Sequence, residues 1–334
     1  MSGYSREFSL RLPVLRTHRR GRESRVLSHA RATRSQYRHR EGKGSLVNRT
    51  ISGRTRVAGV IGWPVEHSLS PVLHAAGFAS LDIDWTYVAF PTHPDSVHRV
   101  VEAARTLGVA GLSVTMPHKT AVVDLCDTLT DSARVLRSVN TIEFRSDGRS
   151  IGHSTDGDGL VDSLRHEGVD PSSRDVLVLG FGGAGRAVCD ALRRHGANRI
   201  VVANRSLVSQ DRLDAMGLTG AEVIPWSERN DVASTCELVI NCTSVGMGGV
   251  GVDVDSSSPL DDSAFSDRHV AIDIVYHPSD TPFLRGARHR GARTIGGIGM
   301  LVHQAARQEE IWIGRSPDVE AMKQAVSQVL GPLA

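Results

Sequence analysis

Four polar side chains of the N-terminal half have the types and spacing needed for carbonyl or alcohol chemistry. Thr115 and Lys119 lie in SVTMPHK, Asn140 lies in SVNT and Asp156 lies in STDGDG, each at the end of a predicted strand. Because ligands bind outside the carboxyl ends of strands in an open α/β sheet, we expect these side chains to meet. An ammonium can stabilise a developing alkoxide and deliver a proton, and a neighbouring carboxylate keeps it charged. A lone lysine after a strand is more often a solvated surface charge, so the other three residues carry the argument.

Two serines precede a predicted helix in VEHSLSPVLH. Ser70 is predicted as the N-cap and Pro71 as the first helical residue, where a missing N–H has no cost. One hydroxyl is enough for a cap, so Ser68 is left over. A helix N-terminus with an additional hydroxyl donor favours an anion, and this stretch therefore predicts an anion-binding site.

A glycine-rich turn, Gly180-Phe181-Gly182-Gly183-Ala184-Gly185, matches the GxGxxG pattern. A predicted strand precedes it, a helix follows it and a second strand closes the unit, which is the context required for dinucleotide binding. That second strand ends in Asn204-Arg205-Ser206, where NAD-binding units usually carry an acid. Since Arg205 can grip a 2′-phosphate, the sequence predicts NADP and leaves NAD use open. The alternative is that Arg205 is an ordinary solvated loop residue.

Alternating strands and helices must position these groups. In the N-terminal half the predicted strands are 57–62, 85–90, 109–116, 138–144 and 149–156, with helices over 70–81 and 96–107 and one starting in HKTAVVDLC at 118–126. A second series has strands at 175–180, 199–206, 237–247, 270–276 and 292–297, followed by two amphipathic terminal helices. This order predicts an α/β fold with parallel sheets covered on both faces.

The predicted organisation is two α/β domains: an N-terminal substrate-binding domain completed by the C-terminal helices, and an inserted Rossmann-type NADP-binding domain. The proposed division is 1–54 as a basic N-terminal extension, 55–157 plus 298–334 as the substrate domain and 158–297 as the dinucleotide domain. The active site is expected in the cleft between the two, with the helix from Gly159 to Glu167 as the linker.

Composition supports a globular protein without a membrane segment. The 334 residues are 40% hydrophobic and 23% charged, and no apolar run reaches the roughly 20 residues needed to cross a bilayer. The four cysteines have no CxxC spacing, which indicates reduced thiols in a cytoplasmic protein rather than disulfides or a zinc site. No metal is predicted.

The N-terminal extension has a different character from the rest of the chain. Residues 1–54 contain 14 Lys and Arg but 3 Asp and Glu, with neither helical nor strand periodicity. This composition predicts a disordered tail or an over-extended start of translation. A transit peptide or a nucleic-acid-binding arm are the alternatives. We leave the segment outside the functional hypothesis, which names a small-molecule substrate, no membrane and no nucleic-acid partner.

Eight motifs together resemble the shikimate dehydrogenases. They occur in the family's order over essentially all of residues 56–330: GWPVEHSLSP, GLSVTMPHK, SVNT, STDGDG, GFGGAG, ANRS, DIVYHPSDTPFL and GIGMLVHQAA. The resemblance implies NADPH-dependent, reversible reduction of 3-dehydroshikimate to shikimate, a step of chorismate and aromatic amino acid biosynthesis. Family members include monomers and homodimers, so the oligomeric state stays open.

The resemblance also implies roles for individual residues. Lys119 and Asp156 match the catalytic pair, and which of them is formally the acid or the base stays open. The implied substrate-binding residues are Ser68 and Ser70 for the carboxylate, with Thr115, Asn140, Asp156, Tyr276 and Gln304 around the ring. The implied cofactor-binding residues are Asp131, Gly180, Phe181, Gly182, Gly183, Ala184, Asn204, Arg205, Ser206, Ile274 and Gly297.

Several positions depart from the family pattern. Ser113 and Ser154 stand where many members have Asn, and Ser209 stands where many NADP-specific members have a second basic residue. Ser70 favours shikimate over quinate, because some quinate-using relatives have Thr there. A quinate or aminoshikimate dehydrogenase is the alternative of the same fold. A non-catalytic ligand sensor is an alternative of another class, but Lys119 and Asp156 are both present.

Overall fold

The structure, a computed structural model, describes residues 50–206, 208–248 and 257–330. Within these residues the strands form two six-stranded sheets. Most of the predicted basic extension, residues 1–49, lies outside the described residues. No helix in the described part of the chain has the length and apolar character needed to span a bilayer.

The first sheet has the order β2-β1-β3-β5-β6-β4. Its strands are β1 (Arg56–Gly62), β2 (Trp85–Pro91), β3 (Gly111–Val114), β4 (Thr128–Leu129), β5 (Thr141–Phe144) and β6 (Ser150–His153). β1 pairs in parallel with β2 and β3, but β5 is antiparallel to both β3 and β6. The first sheet is therefore mixed, with β5 running against both of its neighbours. The turn between β5 and β6 is too short for a crossover, so these strands form a hairpin.

Four helices follow the strands of the first sheet: α1 (Ser70–Ser80), α2 (Val97–Thr106), α3 (Asp131–Leu136) and α4 (Asp156–His166). The helix predicted from HKTAVVDLC is wrong, because this segment forms turns and a short 3₁₀ helix at Val123–Leu125. Val122 and Val123 are buried in the core beside the sheet. Adjacent buried β-branched residues disfavour a helix with one apolar face, and an irregular loop buries both.

The second sheet is entirely parallel, with the order β12-β11-β10-β7-β8-β9. Its strands are β7 (Asp175–Leu179), β8 (Arg199–Asn204), β9 (Glu222–Pro225), β10 (Leu238–Asn241), β11 (Val270–Asp273) and β12 (Arg293–Ile295). The central strands are buried on both faces by two apolar clusters. This explains their nearly continuous apolar sequences, which are typical of a parallel sheet between helical layers.

The helices of the second half are α5 (Gly183–Arg194), α6 (Gln210–Ala215), α7 (Arg229–Ala233), α8 (Pro282–His289), α9 (Ile298–Ile313) and α10 (Val319–Leu330). α9 and α10 return to the first half, where α9 packs on α4 and α1, and α10 packs on α1. The predicted α/β fold class is thus observed. The proposed domain boundaries stay predictions.

Candidate active site

One cavity of about 210 Å³ collects every residue that the sequence assigned to catalysis or substrate binding. These residues line it together: Ser68, Ser70, Thr115, Lys119, Asn140, Asp156, Tyr276 and Gln304. Ile274 and Gly297, assigned to the cofactor, line the same cavity. Its wall therefore contains residues that follow strands of both sheets.

Lys119 and Asp156 form an ion pair in this cavity. The Lys119 Nζ atom lies 2.7 Å from Asp156 Oδ2, and the two side chains are 29% and 14% exposed. Asn140 Nδ2 donates to the other carboxylate oxygen, Oδ1, at 2.8 Å. Because both carboxylate oxygens accept a hydrogen bond, Asp156 holds the ammonium in one place while leaving it partly open to the cavity.

The loop after β3 carries Lys119 and is fixed by hydrogen bonds at Lys119 and at the residue before it. His118 is 1% exposed, and its Nε2 donates to the Thr92 carbonyl at 2.7 Å. The Lys119 carbonyl accepts from the Val139 N–H at 2.8 Å. The lysine backbone is thus attached to the segment that leads into β5, where Asn140 lies.

The β5–β6 hairpin brings Asn140 to the start of α4. Thr141 pairs with His153, so the residues just outside the hairpin are also neighbours. The Asn140 side chain accepts from the Thr155 N–H at 2.9 Å and donates to Thr155 Oγ1 at 2.9 Å. This closed arrangement sets the direction of Asp156, the first residue of α4.

The two serines lie at the start of α1, but not as predicted. Ser70 is the first residue of α1 and makes no cap bond, and Leu69 is the N-cap. Ser68 Oγ accepts from the Ser70 N–H at 3.2 Å. The local hydrogen bond therefore comes from Ser68, and the prediction that Ser70 caps the helix is wrong. Both hydroxyls nevertheless face the cavity beside a helix N-terminus, which suits a carboxylate.

The glycine-rich turn lies between β7 and α5. Gly180 has φ +92°, and a Cβ there would meet Thr243 Cγ2 at 2.8 Å, so this position requires glycine. A Cβ on Gly182 or Gly183 would instead enter open space. The protein itself does not need glycine at these two positions, whereas a pyrophosphate approaching the N–H groups of α5 would. The turn thus fits a dinucleotide.

The end of β8 supports this turn. Asn204 Oδ1 accepts from the Phe181 N–H at 3.0 Å, and its Nδ2 donates to the Ser206 carbonyl at 2.9 Å. Arg205 between them is exposed. Asp131, also assigned to the cofactor, begins α3, pairs with Arg134 at 2.6 Å and does not line the cavity.

Gly297 joins the second sheet to the cavity. A Cβ on Gly297 would collide with the Ile274 carbonyl oxygen, so glycine permits the close approach of these two segments. Tyr276 lies in the same loop, and burial raises the pKa of its hydroxyl above the usual value. The phenol consequently stays protonated and can donate a hydrogen bond into the cavity.

Sequence reasoning missed Gln308 and treated Ser113 only as a departure from the family pattern. Both line the cavity, and Ser113 Oγ donates to Gln308 Oε1 at 2.5 Å. Gln308 follows Gln304 by one helical turn on α9, so the i, i+4 spacing could have identified it. The described residues contain no cluster of His, Cys, Asp and Glu suited to a metal ion.

Comparison with known proteins covers most of the chain. Family models match residues 60–142 ("Shikimate dehydrogenase substrate binding domain"), 164–251 ("Shikimate / quinate 5-dehydrogenase") and 297–326 ("Shikimate 5'-dehydrogenase C-terminal domain"). The chain is 39% identical to a shikimate dehydrogenase (NADP(+)) of Geobacter metallireducens over 84% of this chain and 99% of that relative. The chain belongs to the shikimate dehydrogenase family.

Other members show the same agreement. A shikimate dehydrogenase (NADP(+)) of Gluconobacter oxydans is 42% identical over 81% of this chain and 94% of its own length. The solved shikimate 5-dehydrogenase of Thermus thermophilus, in complex with NADP(H) and shikimate, is 33% identical. It superposes with a TM-score of 0.73 over 83% of this chain and 100% of that structure. The predicted family and fold class are confirmed.

Proposed function

We propose that this chain is an NADP-dependent shikimate dehydrogenase, which reduces 3-dehydroshikimate to shikimate reversibly. The observation that carries the proposal is the Lys119–Asp156–Asn140 cluster, which lies in the same cavity as the two α1 serines. A cyclic substrate with a carboxylate at one end and an oxygen function at the other matches this distribution of groups.

The substrate is held at two ends. Its carboxylate binds the Ser68 and Ser70 hydroxyls at the N-terminus of α1, where the helix dipole favours negative charge. Thr115, Asn140 and Gln304 hold the ring hydroxyls, and Tyr276 donates from the loop after β11. Since every one of these groups is attached to a strand end or a helix, the ring is oriented before any chemistry occurs.

The cofactor supplies the hydride that reduces the carbonyl carbon. Lys119 stabilises the negative charge that develops on the carbonyl oxygen and gives that oxygen its proton. Asp156 accepts from a ring hydroxyl and holds the Lys119 ammonium in place in the cavity. The lysine regains its proton from water, which its partial exposure allows. In the oxidation direction the same groups take the proton from the alcohol.

NADP is assigned from the end of β8. The exposed guanidinium of Arg205 is suited to the 2′-phosphate, while Asn204 holds the glycine-rich turn in place for the pyrophosphate. Asp131, Ile274 and Gly297 complete the proposed cofactor set, and the last two, which line the cavity, would hold the nicotinamide. The cytoplasmic location and the choice between monomer and homodimer stay predictions.

Quinate is the second candidate substrate, because the family model over residues 164–251 describes both shikimate and quinate enzymes. Initial rates with shikimate or quinate, each with NADP⁺ or NAD⁺, separate the alternatives. We expect the highest kcat/KM with shikimate and NADP⁺. A higher kcat/KM with quinate would contradict the substrate assignment, and the absence of turnover with all four pairs would contradict the proposed function.

A further inference from the structure

The hydroxyl of Tyr87 lies outside the cavity but is connected to its wall. Tyr87, in β2, is 6% exposed and stacks on His74 with the ring centroids 4.1 Å apart. Its hydroxyl lies 2.6 Å from Ser113 Oγ, and Ser113 Oγ lies 2.5 Å from Gln308 Oε1. A buried phenol is thus joined to the cavity by two short hydrogen bonds.

Backbone carbonyls fix the direction of these bonds. The Asn140 carbonyl can only accept, so the amide nitrogen of Gln308 must face it, at 3.3 Å, and Oε1 must face Ser113. Ser113 gives its one hydrogen to Gln308, and therefore Tyr87 is the donor to Ser113. At the other end, Gln308 Nε2 donates to Gln304 Oε1 at 3.0 Å.

Gln304, the last residue in this series of hydrogen bonds, has an amide orientation consistent with the same direction. Gln304 Nε2 donates to the Leu301 carbonyl at 2.8 Å, which is again an obligatory acceptor. Since both ends are anchored on backbone carbonyls, each amide has one consistent orientation. After donating to Gln308 and accepting from Tyr87, the Ser113 oxygen retains one lone pair, and Ser113 lines the cavity.

We propose that Tyr87 is a positioning residue: its hydrogen bond holds the Ser113 oxygen in place, so that this part of the cavity wall accepts a hydrogen bond from a substrate hydroxyl. The inference rests on the proposed function, in which a ring hydroxyl of shikimate is the donor. A carbonyl or carboxylate oxygen placed at Ser113 would meet another acceptor and be disfavoured. The wall therefore contributes to the orientation of the ring.

Tyr87 keeps the hydrogen that this role requires. Burial raises the pKa of its hydroxyl far above the usual value, so the phenol does not ionise at any ordinary assay pH.

Neutron diffraction of the deuterated, ligand-free protein tests the hydrogen-bond direction without any substrate. We expect the Tyr87 hydroxyl deuterium to point at Ser113 and the Ser113 deuterium to point at Gln308 Oε1. A Ser113 deuterium directed at Tyr87 would overturn the inference. This result does not depend on whether the proposed reaction is correct.

A double-mutant cycle tests the effect on substrate binding. We expect Tyr87→Phe and Ser113→Ala each to raise the KM for shikimate about 5–20-fold, with kcat and the KM for NADP⁺ changed less than about twofold. The double variant should be no worse than Ser113→Ala, because Tyr87 acts through that hydroxyl. Effects that multiply would assign Tyr87 a merely structural role.

Ser150→Ala is the matched control for this cycle. Ser150 is fully buried in β6, its hydroxyl bonds Asp127, and it does not line the cavity. We expect it to lower the melting temperature without changing the KM for shikimate. If the unmodified protein turned over no shikimate, the proposed function would fail, whereas the neutron result would still decide the direction of the hydrogen bonds.

Discussion

Asp156 accepts hydrogen bonds from two different parts of the chain. Lys119 comes from the loop after β3, Asn140 comes from the segment before β5, and each occupies one oxygen of the carboxylate. The Lys119 ammonium is consequently positioned by the Asp156 carboxylate, which Asn140 in turn holds in its orientation. Such a second layer of support is what keeps a catalytic group within the small tolerance that proton transfer requires.

Removal of the Lys119 ammonium should lower the chemical rate more than substrate binding. We expect Lys119→Ala to reduce kcat with shikimate by about 10²–10⁴-fold, because the alkoxide loses both its stabilising charge and its proton source. Steady-state rates with saturating NADP⁺ measure the effect. Lys323→Ala is the control, because Lys323 is a lysine of α10 that pairs with Glu167. Equal kcat for Lys119→Ala and the unmodified protein would refute the role.

Arg205 should decide between the two nicotinamide cofactors. We expect Arg205→Ala to lower kcat/KM for NADP⁺ about 10–100-fold, since a charge-assisted contact with the 2′-phosphate is lost. The value for NAD⁺, which lacks this phosphate, should change less than about twofold. Arg290→Ala, at an exposed arginine after α8, controls for a general loss of positive charge. A parallel loss with both cofactors would contradict the assignment.

At the scale of elements, the crossing of α4 and α9 holds two sides of the cavity together. α4 begins with Asp156, and α9 carries Gln304 and Gln308. A Cβ on Gly159 would lie 2.6 Å from the Gln304 backbone nitrogen. The helices can approach this closely only because residue 159 is glycine, and the distance between Asp156 and Gln304 depends on that approach.

Gly159→Ala should therefore damage both stability and substrate binding. We expect a loss of about 1–3 kcal/mol in the free energy of unfolding, because a rigid backbone must move to admit one methyl group. The KM for shikimate should rise as Gln304 shifts. Thermal melts and steady-state kinetics measure the two effects. Gly53→Ala, where a Cβ meets no atom within 4 Å, should change neither value. A fully stable Gly159→Ala variant with normal KM would show that the crossing tolerates expansion.

Most long strands could be predicted because their sequences are continuous apolar runs. The predicted strand at 57–62 is β1, Arg56–Gly62, and the one at 85–90 is β2, Trp85–Pro91. The two-residue strand β4 has no such run. It is a strand because it pairs with β6, and its own two residues give no strand pattern. The helix predicted over HKTAVVDLC fails for a similar reason. Its two valines are apolar because they pack in the core beside the first sheet, and not because they form one face of a helix.

The site shows the same division. Motifs located Lys119, Asp156 and the serines, because each has chemistry that is visible in one short stretch. Tyr87 could not be identified in this way. Its role depends on contacts with Ser113 and, indirectly, with Gln308, which lies more than two hundred positions along the chain.

At the scale of the whole molecule, α9 also carries a buried acid that makes stability depend on pH. Glu309 and His74 are both fully buried, and Glu309 Oε1 lies 2.9 Å from His74 Nδ1. Burial raises the pKa of Glu309 to about 9 and lowers that of His74 to about 3. In the folded protein both groups are therefore neutral at pH 7, and one hydrogen bond joins the carboxyl group to the imidazole.

The two groups act on stability in opposite directions. The unfolded chain protonates His74 below its usual pKa of 6.5, so this group costs stability as pH falls from 6.5 towards 3. The unfolded chain ionises Glu309 above its usual pKa of 4.5, so stability falls as pH rises from 4.5 to about 9. Between pH 4.5 and 6.5 the two slopes oppose each other. Above pH 6.5, of these two groups, Glu309 alone makes the free energy of unfolding depend on pH.

Between pH 6.5 and 9 we therefore expect the free energy of unfolding to fall by up to about 1.4 kcal/mol per pH unit through Glu309. Glu309→Gln should remove this dependence, because the amide does not ionise. Denaturant titrations at several pH values measure the slope. Glu310→Gln, at the exposed neighbour on the same helix, should retain it. An equal slope for Glu309→Gln and the unmodified protein would disprove the contribution of Glu309.

Ile274, Tyr276 and Gly297 reach the cavity from the second sheet, whereas Lys119 and the serines reach it from the first. A small molecule bound there contacts residues from both halves of the chain and holds them together. Its departure should loosen the ends of β11 and β12, so their amide hydrogens should exchange with solvent faster once the ligand is gone. Each release of ligand during turnover therefore makes the contact between the two halves more flexible.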